Sequence, residues 1–302
     1  DRLLPEGAYD FMLDPADKVA YVRIYSFTED TKQEMVKALN DVQEKGAKGL
    51  ILDLRGCPGG LLSGAVAAAE QFLARGTIVT LKAREGEPKV FAVSPDAKPV
   101  AAELPLVVLV DGTTASAGEI LAGALKDHGR AVVLGSRTLG KGTVQSIVKL
   151  DGEQGAIRIT SAYFELPNGA KIDRRPGEAV WGVDPSDGYF VPVSGRTREA
   201  METKRQARER VPAAGPRPAD AKVTPESVEA DQSDPQLAAA LRTMLARIER
   251  GAFQKVGLPA AEQAERARLL EEARKKRQAL INDLKRVDDE LDELRRNVGD
   301  ER

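Results

Sequence analysis

A chain of 302 residues is long enough to bury a sizeable core, as one large domain or two smaller ones. Hydrophobic residues make up 42% and charged residues 30%, and 45 basic against 47 acidic side chains leave a net charge of −2. That balance offers neither a basic field for nucleic acid nor the acidic excess of a solvating tail.

The longest apolar runs, such as LVVLVD, are too short to cross a bilayer. With only Cys57 and His128, one chain assembles neither a Cys/His zinc site nor an internal disulfide. The chain begins at Asp1 without an initiator Met or a signal-type apolar segment. It is expected to be a processed or truncated piece of a longer protein, so targeting is not read from it.

Lys18 to Ser26 alternates apolar and polar residues and is rich in β-branched and aromatic types, which predicts a strand. Glu29 to Lys45 places Met35, Val36, Leu39 and Val42 on one helical face, with Gly46 and Gly49 as stop signals. A buried strand GLILDL, a turn RGCPGG and an Ala-rich helix to about Ala74 follow. Thr77 to Ala83 and Val90 to Val93 predict a hairpin around Glu85-Gly86. PLVVLVD, from Pro105 to Asp111, is a continuous apolar run of the kind that both faces of a sheet cover. A helix from Ser116 to about Lys126 and the strand AVVLG come next. VQSIVKL and AIRITSAYFEL are two more strands, separated by the turn signal DGEQG. The alternation predicts an α/β core with a mostly parallel sheet flanked by helices.

After about Arg210 the composition changes. Four prolines between Val211 and Val228 predict a semi-rigid linker. Asp234-Pro235 opens a short helix to Arg250. From Ala260, Leu270, Arg277, Leu284 and Leu291 recur every seven residues, as do Ala273, Leu280, Val287 and Leu294. About four heptads predict a coiled coil, interrupted by one arginine, or else a solvated helix. The expected division is therefore a core over 1–210, a Pro-rich linker over 211–233 and a helical tail over 234–302.

The chemistry concentrates in the segment from Asp111 to Gln145. Serine attacks an acyl carbon only when a base takes its proton and donors stabilise the oxyanion. Lysine serves as that base only with its amine neutral, which requires a reference pKa near 10.4 to fall by about three units, roughly 4 kcal/mol. Lys141 sits in L-G-K-G-T, between glycines and away from local acids, as a desolvated base would. Ser116 opens a helix, so the Ala117 N–H is free to meet an oxyanion. Gly59 or Gly60 of RGCPGG would supply a second donor. Read singly, Ser116 is an N-cap, and G-K-G and PGG are turns. What sets them apart is that each follows a predicted strand, where ligand sites of α/β sheets lie. His128, in KDHGR at a helix end, reads as a capping or surface residue.

These motifs resemble the C-terminal (tail-specific) processing proteases, serine peptidases with a ClpP/crotonase-like fold. The family pattern N-x-G-S-A-S-A-x-E-I, A-L-x-D-H-x-R-A and G-K-G-x-V-Q appears in order as DGTTASAGEI, ALKDHGRA and GKGTVQ. The family's D-L-R-x-N-P-G-G-L appears as DLRGCPGGL, and the likeness runs from about residue 8 to 250, through YFELPNG and GVDPSD. The resemblance implies Ser116 as nucleophile, Lys141 as general base and Gln145 as the residue orienting the lysine. It also implies an oxyanion hole of Gly59, Gly60 and Ala117, and no metal or other cofactor. Implied partners are polypeptides with free C-termini and, through the C-terminal helices, further copies of the chain. An extracytoplasmic location and a PDZ domain upstream are implied as well. Two departures stand out: Cys57 replaces the usual Asn, and Thr113 and Thr114 replace smaller residues. A catalytically idle polypeptide-binding scaffold and a crotonase-type acyl-thioester enzyme are the alternative readings.

Overall fold

The structure, a computed structural model, describes residues 2–4, 9–150, 155–175, 180–210 and 215–299. It divides into two compact units, Asp1–Leu258 and Pro259–Arg302.

The first unit opens with a two-stranded pairing of β1 (Arg2–Leu3) with β2 (Tyr9–Asp10). Its centre is a five-stranded sheet formed by β3 (Met12–Asp14), β4 (Val19–Arg23), β5 (Gly49–Asp53), β8 (Leu106–Val110) and β9 (Val132–Gly135), in the order β3-β4-β5-β8-β9. All neighbours are parallel except β3 with β4. Strands β4, β5 and β8 are buried along their whole length, as expected when both faces are covered.

Alternation along these strands sorts their side chains into two cores. Ala20, Val22, Leu50, Leu52, Val108 and Val110 face α1 (Thr31–Glu44), α2 (Leu62–Ala69) and α3 (Ala117–Asp127). Val19, Tyr21, Ile51, Val107 and Leu109 meet α6 (Pro235–Arg250) on the other side. The Ala-rich helix stops at Ala69 rather than Ala74. Gln71 and Phe72 bond back only three residues, so the last turn tightens as Phe72 turns into the core.

The expected strands after Thr77 form a separate sheet. β6 (Thr77–Ala83), β7 (Lys89–Ala92), β10 (Thr143–Lys149) and β11 (Ala156–Glu165) are all antiparallel, in the order β10-β11-β6-β7. The parallel sheet is thus joined by an antiparallel one, of which β10, beside Lys141, is an edge strand among the described residues. The DGEQG turn lies outside the described residues but for Gly155.

The predicted boundaries at 210 and 233 need correction. α4 (Gly195–Arg210) is followed, within the predicted linker, by α5 (Pro225–Gln232), capped by Thr224 and with Val228 fully buried. Arg217 donates to the Met12 carbonyl at 2.8 Å, strapping the Pro-rich segment to β3. α6 is part of the core, not of a tail: Leu237, Leu241 and Met244 are buried, each contributing about 1.5–3 kcal/mol.

A buried ion network fixes α6 to the sheet. The Arg55 guanidinium bonds Asp53 Oδ2 at 2.7 Å and both oxygens of Asp234, the α6 N-cap, at 2.8 Å. Tyr21 donates to Asp53 at 2.7 Å. Burial alone would raise the Asp53 carboxyl, but the Arg55 charge and hydrogen bonds hold it below the ordinary carboxylate range. With a depressed native pKa, that stabilisation is present above about pH 4 and is lost as pH falls further. Arg55→Met is expected to cost about 3–5 kcal/mol in urea unfolding at neutral pH, because two buried carboxylates lose their partner. Stability within 1 kcal/mol of wild type would show that the network is dispensable.

Candidate active site

Ser116 lies between β8 and α3 at the carboxyl edge of the parallel sheet. It is half-buried, and its backbone has φ 54° and ψ −116°. An N-cap residue ordinarily adopts β-region angles, so a simple capping role does not account for this strained geometry. Positive φ at a strand-to-helix turn lifts a side chain out of the chain path, as at a nucleophile elbow.

The loop is held by Asp111, whose Oδ1 accepts the N–H groups of Gly56 at 3.2 Å, Thr113 at 2.9 Å and Thr114 at 3.0 Å. Thr114 Oγ1 donates to the Leu54 carbonyl at 2.8 Å, and Ala115 N–H to the Cys57 carbonyl at 2.9 Å. The serine loop and the RGCPGG turn are therefore one hydrogen-bonded body. Cys57 is fully buried inside it, and burial pushes its thiol pKa up.

Gly59 packs directly on the serine. A Cβ built there would lie 2.8 Å from Ser116 Cβ and 3.1 Å from the Ala117 nitrogen, and φ is +101°. Among the described residues, the N–H groups of Gly60 and Ala117 donate no hydrogen bond. Gly59 thus lies against the Ser116–Ala117 turn, whereas Gly60 packs on the backbone of Phe27. The Gly59 N–H faces the Cys57 sulfur.

Lys141 arrives on a separate loop. Its loop is clamped by its backbone: Leu139 N–H donates to the Thr114 carbonyl at 2.9 Å, Arg174 N–H to that of Gly140 at 2.9 Å and Phe164 N–H to that of Gly142 at 2.8 Å. Gly142 allows this approach, since a Cβ there would lie 2.4 Å from the Asp173 nitrogen.

One residue that the sequence reading passed over joins the two loops. Glu119 is fully buried. Its Oε2 accepts the N–H of Ser116 at 2.9 Å and that of Lys141 at 2.8 Å, while Oε1 accepts Gly140 N–H at 2.7 Å and the Thr138 hydroxyl. Sharing one oxygen keeps the Ser116 and Lys141 nitrogens within about 6 Å of each other. Burial pushes the Glu119 carboxyl upward, against the pull of its four donors. The signal was present in S-A-G-E, the Ser-x-x-Glu spacing of a capping box.

Two expectations are not met. The sequence reading places the Lys141 amine in a dry environment, but the side chain is exposed. Its Nζ makes no ion pair or hydrogen bond among the described residues. The physical reason is that Gly140 and Gly142 admit neighbours to the backbone, not to the amine. Gln145 is also exposed, at a bulge between Val144 and Gln145, and makes no side-chain hydrogen bond among the described residues. His128 caps the far end of the 11-residue α3, with Nε2 2.7 Å from the Thr77 carbonyl. At 1.5 Å per residue that is about 18 Å along the helix from Ser116, so it is no triad partner. Among the described residues, no cluster of three or more His, Cys, Asp or Glu side chains fit to hold a metal is found, and no helix is long and apolar enough to cross a membrane.

A strained serine between unpaired amides and a lysine loop, at the edge of an α/β sheet, is an arrangement suited to acyl transfer. Residues 18–186, more than half of the chain, match Peptidase family S41, and the chain belongs to that family. It is 41% identical over 158 residues to a carboxy-terminal-processing protease of Bartonella bacilliformis, covering 51% of this chain and 36% of that protein. It is 43% identical over 169 residues to a carboxyl-terminal-processing protease of a Synechocystis species, covering 55% and 39%. Among solved structures, the photosystem II D1 C-terminal processing protease is similar at 34% identity and a TM-score of 0.51, covering 57% of this chain and 42% of that one. The chain thus spans well under half the length of these relatives.

Glu119→Gln is expected to destabilise the fold by about 2–3 kcal/mol, because an amide NH2 would face N–H donors. Peptide hydrolysis should fall further than stability alone explains. Wild-type melting and turnover would show that the shared carboxylate positions nothing.

Proposed function

We propose that this chain carries the core of a serine endopeptidase that cleaves polypeptides near their C-termini. The observation that carries the reading is the Glu119 carboxylate binding the Ser116 and Lys141 amides through one oxygen. The four-carbon stem of Lys141 then needs to bridge only a short gap to the serine.

In this mechanism Lys141 Nζ takes the Ser116 proton as Oγ attacks the scissile carbonyl. The oxyanion is met by N–H groups of Ala117 and of Gly59 or Gly60. The lysine proton passes to the leaving amine, and water activated by the same amine then releases the acyl group from Ser116. An exposed amine becomes a competent base when a bound polypeptide covers it and removes its water. Gln145 would orient the lysine in that covered state.

A polypeptide suits the surroundings. Leu61 and Leu139, on the two loops at the site, are 43% exposed each. The edge strand β10 starts two residues after Lys141 and can accept an extended chain as an added strand.

The exposed lysine also fits a catalytically idle scaffold that only binds polypeptide tails. Covalent labelling of Ser116 by a serine-directed phosphonate separates the two readings. Ser116→Ala and Lys141→Ala are each expected to lower kcat on a peptide by at least about 10³-fold while leaving the fold intact by circular dichroism. Wild-type turnover in both variants would refute the dyad.

A further inference from the structure

Arg23 ends β4 at the carboxyl edge of the parallel sheet, beside the RGCPGG turn. Its side chain is 3% exposed. Nη2 donates to the Arg55 carbonyl at 2.8 Å, but Nε and Nη1 have no hydrogen-bond acceptor among the described residues. The buried Asp53 nearby balances the charge, yet its oxygens go to Arg55 and Tyr21. A buried guanidinium with two nitrogens unused is costly, and the cost asks for a reason.

The group that reaches toward it comes from α4. Glu209 Oε1 lies 3.8 Å from Arg23 Nη1 and 3.5 Å from Arg205 Nε. Both gaps are longer than a hydrogen bond, so the carboxylate is shared in charge by two guanidinium groups and seated on neither. The Tyr25 ring completes the surroundings, 4.8 Å from the Arg23 guanidinium carbon. The helix that carries Glu209 is lightly held. No described residue of α4 is buried, and Lys204 adds one bond, from Nζ to the Ala230 carbonyl at 3.2 Å. Lifting such a helix exposes little apolar surface.

We propose that Arg23 and Tyr25 form a binding site for a carboxylate of the polypeptide substrate, with Glu209 of α4 as its built-in competitor. The inference rests on the peptidase reading above and adds a subsite to it. A guanidinium is the side chain best matched to a carboxylate, and both N–H groups of Nη1 are unused where Glu209 approaches. Exchange of one carboxylate for another on the same cation leaves no charge buried and unpaired.

The RGCPGG turn ties this site to the nucleophile. A Cβ on Gly56 would lie 3.3 Å from Arg23 Nη2, and one on Gly59 would lie 2.8 Å from Ser116 Cβ. The three residues from Gly56 to Gly59 span at most about 11 Å. A carboxylate at Arg23 therefore lies a few extended residues from the bond presented to Ser116, which suits cutting near a chain end.

The test uses the full 302-residue chain carrying Ser116→Ala, so that binding is read without cleavage. Fluorescence anisotropy is measured with a labelled peptide as the free acid, as the carboxamide, and as a carboxamide with glutamate near its end. The free acid is expected to bind about tenfold more tightly than the plain carboxamide. Adding Glu209→Gln, a change at a half-buried side chain, should tighten the acid about fivefold and leave the plain carboxamide unchanged. Arg23→Met should erase the preference, and if that variant does not fold, the Glu209→Gln arm decides. With the preference present, tight binding of the glutamate carboxamide assigns the site to side-chain carboxylates, and weak binding assigns it to the chain terminus. Equal binding of all three peptides, a preference that survives Arg23→Met, or no gain from Glu209→Gln would each overturn the proposal. None of these readouts needs turnover, so phosphonate labelling of Ser116 can succeed while they fail, and the reverse.

Discussion

The site depends on one buried carboxylate with four donors. Two loops, one closing β8 onto α3 and the other leading into β10, are joined by the Leu139–Thr114 backbone bond and by one buried side chain. That side chain is Glu119, whose oxygens are the acceptors for amides of both loops. The charge is tolerable in the core only while all four bonds are made. The loops are therefore not free to part without exposing or orphaning a carboxylate. The strained backbone of Ser116 survives for the same reason: its N–H is anchored from within the helix that it begins.

A second buried network does for the scaffold what Glu119 does for the site. Arg55 joins the end of β5 to the cap of α6, across a sheet whose two faces are covered by different parts of the chain. The RGCPGG turn begins at that arginine. The residues that bring Gly59 against Ser116 thus hang from the ion pair that seats α6, and the position of the turn and the integrity of the second core are coupled.

The contrast at Lys141 is instructive. Its backbone is clamped on both sides, but its amine is left in solvent. Rigid positioning of the main chain with freedom at the tip lets a lysine find a hydroxyl only when the surroundings change. In the proposed mechanism a polypeptide laid over the site would supply that change by displacing water, tying competence to occupancy.

Much of this was legible from residue order. The continuous apolar runs of β5 and β8, the Ser116-to-Glu119 spacing, the glycines around Lys141 and the heptads of α7 (Ala260–Gly299) follow from local physics: period, backbone freedom and side-chain type. Family membership followed as well, since several short motifs recur in one order. Other features were decided only by tertiary structure, because they depend on partners distant in sequence. Separating β6, β7, β10 and β11 into their own antiparallel sheet is a matter of which edges meet. The Pro-rich stretch read as a linker because its local composition is that of one, but Arg217 and Val228 find their partners in β3 and α6, and Asp234 just beyond it finds Arg55. Lysine exposure depends in turn on what packs around a side chain, and glycine neighbours describe only the space around its backbone. Local chemistry sets what each segment can form, and long-range burial and charge pairing decide where it is held.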